Sequence, residues 1–339
     1  MAAAQTITLF PLPDRPFFGG IAAGPDGALW FTASIGFVGP HTIRRITTAG
    51  IVTTYPISAE PRDITAGPDG AMWFTEGTGF GTPDIIGRIT TAGAVTEFTI
   101  APASTGLDLT GIVTGPDGAL WFLETGPDRI GRITTAGSLT EFSLPSPFVN
   151  NDPNYITVGS DGALWFTESH ANKIGRITTS GGLTEFALPG FRFPLGITAG
   201  SDGALWFAEE GGGVNKIGRI TTAGSLTEFA VPFSPFFIAS GPDGALWFTG
   251  DNFSSAIGRI TTTGFLTTYA LPAGSSAGHI TAGPDGAMWF TAPDFTGGPY
   301  QIGRISVPVS ASGIPTLSSA VMTALAVVLA GLALLQIRG

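Results

Sequence analysis

The chain has 339 residues, among them 50 Gly, 26 Pro, 25 Phe and 7 Trp, with only 12% charged, so it can bury a large core while committing many positions to turns. Its formal charge is −10, its pI is about 4.6 and its only lysines are Lys173 and Lys216; no basic stripe is available to neutralise phosphates, which argues against nucleic acid as a partner. The absence of cysteine removes disulfides, thiolate metal sites and cysteine nucleophiles.

At the start, MAAAQTITLF holds no hydrophobic leader. Ala2, Ala3 and Ala4 look like the small-residue end of a cleaved export signal, and the expectation is either a start upstream of Met1 or a numbering that begins near the mature end. Ile7 to Pro13 (ITLFPLP) reads as a strand. From there to Ile305 one phrase, ITAGPDGALWFT with variations, recurs seven times. Its tryptophans, Trp30, Trp73, Trp121, Trp165, Trp206, Trp247 and Trp289, stand 43, 48, 44, 41, 41 and 42 residues apart. Such a period, made of short β runs and Gly-rich turns, predicts a seven-bladed β-propeller with one four-stranded blade per repeat.

Within each repeat an Ile-Thr-Ala run forms the first strand, Gly-Pro-Asp-Gly the turn, and Ala-Leu-Trp-Phe-Thr the second strand. Ile-Gly-Arg-Ile-Thr then gives the third strand, Thr-Ala-Gly a second turn, and a run such as Leu139–Phe142 the fourth. The last repeat stops at its third strand, Ile302–Ile305. Ile7–Pro13 matches the fourth-strand phrase Thr140–Pro145, so the N-terminal strand is expected to complete blade seven and close the ring. The fold class is therefore all-β, a propeller over residues 6–305, with no free sheet edge and expected to be monomeric.

The end of the chain differs in composition. Residues 306–317 read as a linker with a sorting motif and 318–337 as one transmembrane helix, because Ala320–Ile337 is almost wholly apolar and eighteen helical residues span roughly 27 Å. Ile314-Pro315-Thr316-Leu317, the apolar run and Arg338 together resemble the IPTL-CTERM bacterial sorting tail. That resemblance implies an exported protein, held at the membrane or sorted to the surface.

Aspartates 26, 69, 117, 161, 202, 243 and 285 occur in every turn, and arginines 45, 88, 132, 176, 219, 259 and 304 in every third strand. Seven equivalents cannot mark one asymmetric site, so they are expected to brace the blades. Function is sought in what differs. The connections between strands two and three, and between blades, vary in length and lie on one face. On this variable face the position before the first strand holds Gly20, Asp63, Gly111, Tyr155, Gly196, Phe237 and His279, expected beside the central channel. The position three after each Trp holds Ala33, Glu76, Glu124, Glu168, Glu209, Gly250 and Ala292. These four glutamates read first as solvated rim charge. The alternative is a Mg²⁺ or Ca²⁺ site, or a functional site made of Glu124, Glu168, His170, Glu209 and Tyr155. Phenylalanines crowd the same loops, Phe236 and Phe237 among them, which suggests an apolar ligand pocket or a partner surface.

The phrase ITAGPDGALWFTE followed by NKIGRI, seen with small variations as ITVGSDGALWFTE at Ile156–Glu168 with Asn172–Ile177 and as ITAGSDGALWFAE at Ile197–Glu209 with Asn215–Ile220, resembles the streptogramin B (virginiamycin B) lyases over residues 6–305. The resemblance implies a seven-bladed propeller that opens a cyclic depsipeptide antibiotic by elimination at its ester bond, using a histidine base and Mg²⁺ held by glutamates. It places His279 in the family's histidine position in blade seven. The same position in blade six is Phe237, and the glutamate positions of these blades are Gly250 and Ala292. Asp251 and Asp294 are then the candidate metal ligands, and His41, in the blade-one loop next to blade seven, the candidate second histidine. The alternative is a surface propeller that binds an apolar ligand or a protein without catalysis.

Overall fold

The structure, a computed structural model, describes residues 5–35, 39–77, 84–101, 109–126, 128–145, 153–211, 214–250, 255–294 and 296–307. They form seven four-stranded antiparallel sheets. Blade one comprises Phe17–Ala23, Leu29–Ser34, His41–Ile46 and Val52–Ile57, and each later repeat builds its sheet in the same order. Blade seven takes Ile280–Ala282, Met288–Ala292 and Gln301–Ile305 from the end of the ring and Ile7–Pro11 from the start of the chain. Ile7 lies opposite Ile305 and Pro11 opposite Gln301, so the closure expected from the matching phrases is the one formed. Among the described residues no helix is long and apolar enough to cross a membrane. The proposed helix at 318–337 and the 306–317 motif, from 308 onward, lie outside them.

First strands of neighbouring blades pack against one another, which places them innermost. The seven tryptophans are fully buried, and each stacks on the aromatic residue of its blade's fourth strand: Tyr55, Phe98, Phe142, Phe186, Phe229 and Tyr269 in blades one to six. In blade seven the partner is Phe10, with ring centroids 5.4 Å from Trp289. The N-terminal strand thus brings the aromatic residue that the last repeat lacks.

The repeated Asp and Arg form one lock per blade. In blade three the Trp121 indole N–H donates to Asp117 Oδ1 at 3.0 Å, and the Arg132 Nε–H donates to Oδ2 at 2.6 Å. The other six blades repeat it, and the bracing role read from their sevenfold recurrence holds. Burial works against the Asp117 carboxylate, but the bonds from Trp121 and Arg132 outweigh it and hold its pKa below the ordinary value. The turn that follows needs glycine: Gly118 has φ of +73°, where a Cβ would be strained.

Candidate functional site

Each first strand of blades one to six carries a bulge where it enters the sheet, for example between Pro61 and Ile64 and between Pro153 and Ile156. A bulge re-aims side chains, and here it turns the residue before the first-strand isoleucine toward the axis. Asp63, Tyr155 and Phe237, together with His279 of blade seven, share one cavity of about 140 Å³ with Ile21, Ile156, Ile197, Ile238 and Ile280. The seven first-strand isoleucines, Ile21, Ile64, Ile112, Ile156, Ile197, Ile238 and Ile280, are all buried. Two further cavities open from the same mouth. One, about 230 Å³, is lined by Phe17, Phe18, Arg62, Asp63, Asn154, Tyr155 and His279; the other, about 180 Å³, lies between blades seven and one.

His279 is the residue common to all three cavities. Its backbone is clamped by Thr291, whose N–H donates to the His279 carbonyl at 2.9 Å while its own carbonyl accepts from Gly278 N–H at 2.7 Å. Its ring lies against Phe237, centroids 3.8 Å apart, and has no hydrogen-bond partner among the described residues. Burial among apolar neighbours pushes its pKa down to about 3, so the imidazole is neutral at physiological pH. A neutral imidazole facing a cavity can take a proton.

The remaining candidates separate. Phe237 and Tyr155 line the channel, and Phe236 packs on both, edge-on to Tyr155 and 4.7 Å from Phe237. His41 does not pair with His279: it opens a blade-one strand, its Nδ1 meets Ser34 Oγ at 2.9 Å, and it lines none of the three cavities. Asp294 is half-buried, and its Oδ1 accepts from the Thr296 amide and hydroxyl. Asp251 lies outside the described residues. Asp63 was not singled out from sequence as a site residue beyond its slot. It is enclosed at the axis and its oxygens accept from the backbone N–H of Ile64 and Ile112, so it ties blade two to blade three; burial raises its pKa to about 6 against those bonds.

The glutamates are not rim charge. Glu76, Glu124, Glu168 and Glu209 are fully buried, each inside its own blade. Glu168 lies opposite Lys173 in the sheet, and Lys173 bonds instead to Glu185 of the fourth strand at 2.7 Å. Glu209, Lys216 and Glu228 repeat the arrangement, as do Glu124, Arg129 and Glu141. One strand-three cation thus lies between two carboxyls, and both oxygens of Glu124, Glu168 and Glu209 are left without a hydrogen-bond partner, Glu209 having in addition the Arg192 guanidinium at 4.0 Å. Burial, then the facing Glu185, pushes Glu168 up to about 7, so it holds a proton near neutrality. His170, exposed and edge-on to Phe193, is not joined to these carboxyls in a metal-binding group: among the described residues no three His, Asp or Glu side chains are placed to hold an ion.

The same observation decides the fit of Mg²⁺ at His279. The apolar face of Phe237 covers the imidazole, Ala277 and Ala292 are buried in the adjoining core and carry no side-chain donor atoms, and Asp294 is turned to Thr296. The described residues around His279 do not make a divalent-cation site, and no step is derived through one.

The sequence profile of the virginiamycin B lyase family matches residues 18–233 and 212–322. A streptogramin B lyase structure is 34% identical, covering 89% of this chain and 97% of its own, with a TM-score of 0.78. A catalytically inactive histidine-to-alanine variant of virginiamycin B lyase from Staphylococcus aureus, solved with quinupristin, is 36% identical over 90% of this chain and 100% of its own, also with a TM-score of 0.78. The extracellular domain of a B. thetaiotaomicron protein described as a hybrid two-component system shares the fold alone, at 15% identity, 87% of this chain, 40% of its own and a TM-score of 0.64. No curated protein matches the chain.

Proposed function

The chain belongs to the virginiamycin B lyase family, and we propose that it receives a cyclic depsipeptide at the axial mouth, with His279 as the base of a ring-opening elimination. The observation that carries this reading is the position of His279: neutral, without a hydrogen-bond partner among the described residues, and lining all three of the cavities described above. In the elimination the imidazole accepts the proton α to a carbonyl, a carbon–carbon double bond forms, and the ester C–O bond breaks to release a carboxylate. The aromatic walls, Phe17, Phe18, Tyr155 and Phe237, suit a largely apolar ligand.

A second reading, binding without turnover, is favoured by the Phe237 ring lying on His279 and by the lack of a cation site among the described residues. One experiment separates them. The protein is incubated with quinupristin, binding is followed calorimetrically, and the ring-opened isomer, which has the mass of the parent, is resolved by chromatography. Ring opening that His279→Ala abolishes while binding persists supports the lyase reading. Binding with no isomer supports the second, and no binding refutes both. The apolar run at 318–337 is proposed as a membrane tether or sorting tail, checked by fractionating cells that express the full chain.

A further inference from the structure

The face opposite the mouth is built from the two short turns of each blade, and its chemistry is uneven round the ring. The residue after the glycine of the second turn is exposed in blades one to six. It is Ile51 in blade one and Phe265 in blade six, 66% and 67% exposed, but Ala94, Ser138, Gly182 and Ser225 in the four blades between. The first turn carries an exposed proline in every blade except four and five, across the ring, where Ser160 and Ser201 stand. Blade seven has no second turn. There the two ends of the propeller meet instead, the Ser306 amide donating to the Thr6 carbonyl at 3.0 Å as the Thr47 amide does to Ile51 in blade one. Val307, the last described residue, thus stands between the turn of blade six that carries Phe265 and the turn of blade one that carries Ile51.

Single exposed apolar side chains are ordinary on protein surfaces. These two flank the point from which the chain runs on to the apolar stretch 318–337, and neither packs into a buried cluster of its own or a neighbouring blade. The sector is also electrically neutral. Residues 47–51, 261–265, 5, 6, 306 and 307 include no charged side chain, and the turn aspartates Asp26, Asp243 and Asp285 are each held by the arginine of their own blade at 2.5–2.6 Å. A chain of formal charge −10 therefore has an uncharged, apolar edge where its apolar stretch departs. We propose that this sector docks on a lipid bilayer, Ile51 and Phe265 entering the interface on either side of blade seven, so that the mouth with His279 opens away from the lipid. Docking of this kind rests on the reading of 318–337 as a membrane tether. A tether holds the turns at high local concentration, so two side chains suffice where an untethered protein would need a larger apolar area.

The chain has no cysteine, so a single introduced cysteine can be labelled without further change. Ala49→Cys and Thr263→Cys lie in the two apolar turns, and Ala136→Cys and Ser180→Cys occupy the same exposed turn position in blades three and four. Each variant of the full chain is labelled with an environment-sensitive fluorophore, mixed with phosphatidylcholine vesicles, floated on a density gradient and quenched with iodide. Labels at 49 and 263 should be quenched several times less than those at 136 and 180, and only when vesicles are present. Ile51→Ser combined with Phe265→Ser should restore quenching at 263 while the chain still floats; blades three and five already hold serine at this position, so the turn accepts it. Equal quenching of all four labels on a floated chain would overturn the docking and leave the tether standing. A chain that stays in solution would overturn both, and protection at 49 and 263 without vesicles would put a second copy of the chain on this face in place of lipid.

Discussion

Replacing Glu168 by Gln should change how stability depends on pH. Glu168 is fully buried, its oxygens have no partner, and burial together with Glu185 moves its pKa from 4.5 to about 7, while Lys173 pulls it down and Asp128 pushes it up. A carboxyl whose folded pKa is raised binds its proton more tightly folded than unfolded. Its favourable contribution is complete below pH 4.5 and is lost as pH rises through about 7. The full difference corresponds to a ceiling of about 3 kcal/mol, and compact unfolded states and local relaxation reduce it to about 2 kcal/mol. Gln keeps the shape and carries no charge at any of these pH values. Urea denaturation at pH 5 and pH 8.5 checks this: the parent should lose about 2 kcal/mol more than Glu168→Gln between the two. Identical losses would show that Glu168 is ionised in the folded protein and that its burial has been misjudged.

The blade locks predict the opposite acid limb. Asp117 has a lowered pKa, so its contribution is present above the unfolded value and lost as pH falls through the folded one; Asp117→Asn should cost about 1 kcal/mol at pH 7 and nothing once both forms are protonated, read from denaturation midpoints against pH. Phe10→Ala removes the stack on Trp289 that completes blade seven and should cost about 2–3 kcal/mol, with amide exchange rising first in the strands Ile7–Pro11 and Gln301–Ile305. Because the described residues offer no cation site at His279, quinupristin affinity should be the same in EDTA and in Mg²⁺; a calorimetric difference between the two would restore the metal.

The sequence alone determined the ring. Each repeat carries its own strands, its Gly-Pro-Asp-Gly turn and one tryptophan, and the phrase shared by Ile7–Pro13 and Thr140–Pro145 named the closing strand, because a blade is a local unit whose requirements recur at a fixed period. The axial position of His279 was legible for the same reason: counting from the first-strand isoleucine places it at the channel in any blade. What surrounds a side chain was decided only by the tertiary structure. Glu168 and Glu185 meet across an intervening strand, so neither the burial of the one nor the diversion of Lys173 to the other leaves a mark on the local pattern, and four inward carboxyls look like a charged rim. Thr291 likewise reads as one more scaffold threonine. Only the join between the last blade and the first, contacts made across nearly the whole length of the chain, leaves its hydroxyl buried without the carbonyl partner that Thr32 and Thr249 find in the following blade.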